Sequence, residues 1–213
     1  MTTALIFDVE TTGLLPTTRN PEIPHIIQFS FVLYDIETRD IQKTYNSYVR
    51  LPEGVVVSTF ITQLTGITQE KIEECGNPLS CVLEEFYRAY EMADLIIGHN
   101  VKFDISMVVL HSTPEMKRMF DREVITEKNK KVFCTMRESI DICKLERETK
   151  TGKKYYKYPK LSELYEHFFG EIPENLHDSM VDVLACLKCF LKIKGLTTST
   201  PCLSTAVSVS TTI

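Results

Sequence analysis

Strand-type apolar runs crowd the first fifty residues, and beyond residue 58 they alternate with segments of helical spacing. Ala4–Phe7, bounded by Gly13, has the length of a buried strand. His25–Tyr34 is rich in Ile, Phe and Val, and Thr44–Arg50 alternates, so the two read as neighbouring strands. Ser58–Leu64, Gln69–Glu74 and Leu79–Met92 carry helical spacing. Asp94–Gly98 is a strand, followed by helices over Lys102–His111 and Pro114–Arg122. Val132–Thr135 is a further strand, and Ile140–Leu145, Leu161–Phe168 and Asp178–Lys192 are helical. Hairpin strands followed by alternating helix and strand predict an α/β fold with a mixed sheet covered by helices.

Composition supports a folded chain. Hydrophobic residues make up 43% and charged residues 25%, which excludes a chain disordered throughout, a collagen and a coiled coil. The apolar runs are far shorter than the roughly 20 residues of a membrane span, so no membrane partner is expected. Met1-Thr2-Thr3 leads straight into Ala4–Phe7, without the basic and long apolar stretches of a signal peptide. Seven cysteines without framework spacing indicate reduced thiols and an intracellular setting, cytoplasmic or nuclear. Residues 195–213 carry no charge, and ten of the nineteen are Ser or Thr. We expect one domain over residues 1–194 and a disordered tail over 195–213.

Three acidic motifs stand out. In Phe7-Asp8-Val9-Glu10-Thr11-Thr12-Gly13, alternation along a strand puts Asp8 and Glu10 on one face. Adjacent carboxylates repel, and a hard divalent cation with oxygen ligands relieves that repulsion; the plainer alternative for this motif alone is two solvated acids after a strand. His99-Asn100-Val101-Lys102-Phe103-Asp104 opens a helix at the end of a second strand, the edge where ligands bind in open α/β sheets. There Asp104 is either a helix-capping acid or a ligand. In His177-Asp178-Ser179-Met180-Val181-Asp182, Asp178 and Asp182 share a helix face, although Asp178 also fits a plain N-cap. Together the motifs supply four carboxylates, Asp8, Glu10, Asp104 and Asp182, and a histidine. That set suits two metal ions about 3.5–4 Å apart and a general base.

These motifs, in this order, resemble the DEDDh (DnaQ-like) exonucleases. That RNase H-like group contains the proofreading subunit of bacterial DNA polymerase III, RNase T and oligoribonuclease. Asp8, Glu10, Thr12 and Gly13 match the first family motif, His99, Asn100, Phe103 and Asp104 the second, and His177, Asp178 and Asp182 the third. Leu64–Thr68 and Pro159–Tyr165 are also family-like, with Thr65 standing where many relatives carry a histidine. The resemblance spans about residues 4–192 and implies a mixed five-stranded sheet flanked by helices. It further implies a 3′–5′ exonuclease that releases nucleoside 5′-monophosphates from single-stranded DNA or RNA, in proofreading or repair, with a polymerase among its implied partners. By resemblance, Asp8, Glu10 and Asp182 hold one magnesium or manganese ion, and Asp8 with an outer-sphere Asp104 holds the other. His177 takes a proton from the attacking water, a task suited to an imidazole near neutral pH. Thr11, Thr12, Gly13 and Leu14, with His99 and Asn100, grip the terminal nucleotide. Phe103 either stacks on a base or packs in the core.

Net charge is −5, yet Lys144–Lys160 holds seven basic residues against two acidic ones, with Tyr155, Tyr156 and Tyr158 interleaved. Basic groups for phosphates and aromatic faces for bases suit a single strand, with Lys153, Lys154 and Lys157 as contacts. The plainer alternative is a solvated loop with a β-hairpin tip at Thr151-Gly152. Glu127–Lys131 is a second basic run. Cys186-x-x-Cys189 lacks the second ligand pair of a zinc site and reads as buried thiols. His25, His111 and His167 read as packing or surface residues. Two other functions compete with the nuclease. A haloacid-dehalogenase-like phosphatase would use Asp8 as nucleophile but leaves the later motifs without a role. A non-catalytic nucleic-acid-binding module on the same fold has no need of the full acidic set. No sequence feature specifies an oligomeric state.

Overall fold

The computed structural model describes residues 2–19, 21–117 and 131–196. Five strands form one mixed sheet: β1 (Thr3–Thr11), β2 (Ile26–Asp35), β3 (Asp40–Tyr48), β4 (Leu95–Gly98) and β5 (Lys131–Cys134), in the order β3-β2-β1-β4-β5. β1 and β2 are antiparallel, as are β2 and β3, whereas β1, β4 and β5 run parallel. This is the mixed sheet expected from the order of elements. Eight helices accompany it among the described residues with defined bounds: α1 (Thr59–Thr65), α2 (Gln69–Cys75), α3 (Leu79–Met92), α4 (Val101–His111), α5 (Thr135–Glu138), α6 (Ile140–Cys143), α7 (Leu161–Phe169) and α8 (Ser179–Ile193). A short hairpin, β6 (Glu146–Glu148) with β7 (Lys154–Tyr156), stands apart from the main sheet.

Strand β2 is buried at all ten positions because helices cover both sheet faces. Leu5, Phe7 and Val9 of β1 join Phe29, Phe31 and Leu33 of β2 against Val82, Phe86 and Tyr90 of α3 and Met107 and Val108 of α4. Phe86 is the aromatic centre of this layer, with ring centroids 4.9 Å from Phe7 and 5.1 Å from Phe29. Ala4 and Ile6 point to the opposite face, where they meet Val183, Cys186, Leu187 and Phe190 of α8. The strand period therefore aims Asp8 and Glu10, the next two residues of that series, at the face covered by α8.

Several boundaries differ from the sequence expectation. The sequence reads β1 as Ala4–Phe7, but the strand runs through both acids to Thr11, because β2 continues to pair with it (Asp8 with Ser30, Glu10 with Gln28). β3 begins at Asp40 rather than Thr44. Thr135, expected in a strand, instead opens the short helix α5. The expected Pro114–Arg122 helix is helical over residues 114–117, and its remainder lies outside the described residues. The same holds for nearly all of the Glu127–Lys131 run and for residues 197–213 of the expected tail. Among the described residues no helix is long and apolar enough to cross a membrane.

The turn from β4 into α4 requires Gly98. A Cβ there would lie 2.9 Å from the Val101 Cβ. Gly98→Ala is expected to cost about 1–3 kcal/mol through overpacking. Urea unfolding followed by circular dichroism would measure the loss, and an unchanged midpoint would refute the packing account.

Candidate active site

Three separate elements bring the acidic side chains together. Asp8 and Glu10 come from the end of β1, Asp104 from the first turn of α4, and Asp182 from the first turn of α8. A carboxylate oxygen from Glu10, one from Asp182 and a ring nitrogen of His177 lie within 4.8 Å of one another, close enough to share a metal ion. Asp104 raises the charging cost of Asp8, and both feel the charge of Asp182.

Asp104 is not a helix cap. It is 2% exposed, and its Oδ1 accepts the Val9 amide at 3.3 Å. The β1–β4 ladder ends at Ile6–Ile97, so this stretch of β1 has no strand on that side, and Asp104 takes an amide the ladder leaves over. Asp178, by contrast, is a true N-cap, accepting the amides of Met180 at 3.0 Å and Val181 at 3.4 Å.

Gln28 is the residue that motif reading missed. It is fully buried in β2, opposite Glu10. Its side-chain amide donates to Asp178 Oδ2 at 3.2 Å and Asn46 Oδ1 at 3.1 Å, while its carbonyl accepts the Ser179 amide at 3.2 Å. Ser30 adds a 2.6 Å hydroxyl contact to Ser179. These bonds clamp the start of α8 to the sheet and so set Asp182 and His177 relative to Glu10. A buried Gln inside an apolar strand was the available sequence clue, since such a group demands partners.

The first and second motifs are shaped by the backbone. β1 and β2 slip in register between Glu10 and Thr11, after which Thr12 and His25 exchange bonds, Thr12 N to His25 O and His25 N to Thr12 Oγ1, both at 2.8 Å. Leu14 then stands 79% exposed. His99 is tied at both ring nitrogens, 3.0 Å from Thr135 Oγ1 and 3.1 Å from the Pro159 carbonyl. That carbonyl only accepts, so Nε2 carries the proton. Burial pushes the His99 pKa down to about 4, keeping the ring neutral. Phe103 packs partly buried against the main core. Asn100 and His177 both adopt left-handed backbone, with φ of 68° and 72°.

Cys186 and Cys189 are buried thiols. The His25 and His111 rings lie 5.6 Å apart, and His111 Nε2 is 2.7 Å from the Pro24 carbonyl. Lys153 and Lys154 lie on the exposed hairpin, where Lys154 contacts Glu146 at 3.3 Å. Lys157 is held by Glu163 at 2.7 Å.

The acids are expensive without a cation. Burial, then the charges of the neighbouring acids, pushes Glu10 up to about 8 and Asp8 well above the usual carboxylate range. Burial likewise lifts Asp104 to about 8 and Asp182 to about 7. Asp182 Oδ1 is buried with no hydrogen-bond partner. A carboxylate oxygen that is desolvated, unpaired and set beside other acids fits a divalent-ion ligand.

A pH prediction follows with a definite sign. A carboxyl that holds its proton up to about pH 7–8 when folded loses it near pH 4 when unfolded. The folded state thus binds more protons, and this contribution to stability is lost as pH rises to the folded pKa values. His99 has the opposite shift, but its effect is complete by about pH 6.5. In chelator, the melting temperature should therefore fall by several degrees between pH 6.5 and 8.5. Millimolar magnesium should remove the fall. Thermal melts at three pH values test this, and a flat profile in chelator would contradict it.

The chain is 28% identical over 190 residues to the PolC-type DNA polymerase III of Caldanaerobacter subterraneus subsp. tengcongensis, covering 89% of this chain and 11% of that one. It is 40% identical over 63 residues to ERI1 exoribonuclease 2 of Mus musculus, covering 30% of this chain and 9% of that one. The chain thus spans about a tenth of the length of these curated relatives. Its fold matches E. coli exonuclease I in complex with a 5cy-dT13 oligonucleotide (TM-score 0.66, 18% identity, 91% of this chain and 41% of that). It also matches a 3′-exonuclease described in recognition of a histone mRNA stem-loop (TM-score 0.56, 18% identity, 91% and 81%). The exonuclease family profile of RNase T type matches residues 5–190, and the chain belongs to that family.

Proposed function

We propose that this protein is a divalent-metal-dependent 3′–5′ exonuclease acting on single-stranded nucleic acid. The observation that carries the proposal is the convergence of Asp8, Glu10, Asp104 and Asp182 from three elements, with His177 beside them and one Asp182 oxygen buried and unpaired. A haloacid-dehalogenase-like reaction would use Asp8 alone and leaves Asp104, Asp182 and His177 idle. A binding module has no reason to bear so costly a cluster.

Asp8, Glu10 and Asp182 are the proposed ligands of one magnesium or manganese ion, and Asp8 with an outer-sphere Asp104 those of a second. Ions bound there neutralise charge on the phosphate and on the attacking and leaving oxygens. His177, exposed and next to Glu10 and Asp182, accepts a proton from the attacking water at a ring nitrogen. Thr11, Thr12, Gly13 and Leu14 bind the terminal nucleotide, Leu14 offering a bare apolar surface to its base. Asn100 and Phe103 line the second motif beside it, and His99 holds that motif in place. On the basic hairpin Lys153 is the proposed phosphate contact, while Lys154 and Lys157 are paired to Glu146 and Glu163. Relatives named as an exoribonuclease and as a DNA polymerase support both sugars as substrates, and the polymerase relative supports action beside a polymerase.

Digestion of 5′-labelled single-stranded DNA and RNA should give a ladder shortening from the 3′ end with magnesium or manganese and no cleavage in chelator. Full activity in chelator would overturn the metal mechanism. The roles of His177 and Asp182 separate by metal titration. His177→Ala should keep metal affinity and substrate binding while turnover falls about 10²–10⁴-fold, the usual worth of a general base. Asp182→Asn should lose metal binding and activity together. Normal turnover in folded, metal-binding His177→Ala would remove the base assignment.

A further inference from the structure

The basic segment has an internal order that its sequence alone does not display. The β6–β7 ladder pairs Glu146 with Tyr156, Arg147 with Tyr155 and Glu148 with Lys154. It continues on both sides, through Thr149 N to Lys153 O at 2.9 Å and Lys157 N to Leu145 O at 3.0 Å. Opposed residues share a face and successive residues alternate. One face therefore carries Arg147, Lys153 and Tyr155, with Leu145 and Lys157 at its root and no acid. The other carries both acids, Glu146 and Glu148, together with Lys154 and Tyr156. Lys154 is already matched to Glu146 on that second face, and Lys157 to Glu163 at the root. Arg147 and Lys153, which form no ion pair among the described residues, flank a tyrosine that is 48% exposed.

We propose that the Arg147–Lys153–Tyr155 face is a platform for the single strand a few nucleotides behind its 3′ end, and this rests on the exonuclease reading above. Tyr155 stacks on a base, and Arg147 and Lys153 contact the flanking phosphates. The hairpin is placed for this. Its outgoing strand is pinned to the second motif by the bond from His99 Nε2 to the Pro159 carbonyl, 3.1 Å. Glu163, which holds Lys157, also accepts the Lys160 amide at 2.7 Å, so the root is fixed at the start of α7. Tyr155 and Pro159 are four chain steps apart, at most about 14 Å. That is roughly the length of four stacked nucleotides at 3.4 Å each. The acidic face repels phosphate, so the strand is held on one side only.

The test is hydrolysis of the 3′-terminal nucleotide from single-stranded oligonucleotides of two to twelve residues, with magnesium. In the wild type, kcat/KM should climb with length and level off once the platform is filled. Tyr155→Ala should lose roughly tenfold to a hundredfold on the long substrates, the scale of one base–aromatic stack, and nothing on the dinucleotide. Tyr155→Phe should keep wild-type values, which separates stacking from loss of hairpin structure. Arg147→Ala with Lys153→Ala should flatten the salt dependence of binding, by about 0.7 in log–log slope per phosphate lost. A loss in Tyr156→Ala equal to that in Tyr155→Ala would overturn the one-face assignment. So would Tyr155→Ala activity equal to wild type at every length, or an equal loss on the dinucleotide. Failure of the wild type to cleave substrates of any length would instead overturn the exonuclease reading itself.

Discussion

Four acidic side chains held together, Asp104 buried and the other three half-buried, set the terms for the rest of this structure. Each would be charged near neutral pH in water, and each is shifted upward here by burial and by its neighbours. Once charged, they repel one another and oppose the packing of β1, α4 and α8 at one end of the sheet. Two features oppose it. Apolar packing beneath the acids ties α8 to the sheet through Val183, Leu187 and Phe190. Above that layer, Gln28 and Ser30 clamp the first residues of α8 with neutral hydrogen bonds. A cation at the acids would turn the repulsion into cohesion, so the same cluster that weakens the metal-free fold would strengthen the loaded one.

Two of the non-glycine residues with positive φ stand at the starts of motifs. Asn100 and His177 carry side chains in the left-handed region, a conformation that costs roughly 1–2 kcal/mol for most residues. Both stand immediately before helices that deliver a carboxylate, Asp104 on α4 and Asp182 on α8. A sharp entry lets the first helical turn face the end of β1. Such strain persists only where surrounding contacts enforce it, and here the His99 bonds and the Gln28 clamp do so.

The charge of this acidic protein is divided. The net charge of −5 includes a crowded acidic centre that favours cations and a hairpin that favours phosphate. The ladder sorts that hairpin further, collecting both of its acids on one face. Fields from such patches act over about a Debye length, roughly 8–10 Å, so neighbouring regions of opposite sign keep distinct roles.

Much of the site is legible in the amino-acid sequence, because it depends on periods internal to single elements. Alternation along a strand puts Asp8 with Glu10, and the four-residue helical repeat puts Asp178 with Asp182, whatever the rest of the chain does. The mixed sheet follows from the order of runs. Asp104 as a buried acceptor of the Val9 amide is not legible there, since it depends on where the β1–β4 ladder stops. Nor are the bonds of Gln28 to residues 150 positions away, or the pairing of Lys157 with Glu163 that removes one cation from the basic run. Local dihedral preferences determine which side chains share a face. Which groups neutralise, clamp or oppose them depends on chain segments far apart in sequence, and only their packing decides it.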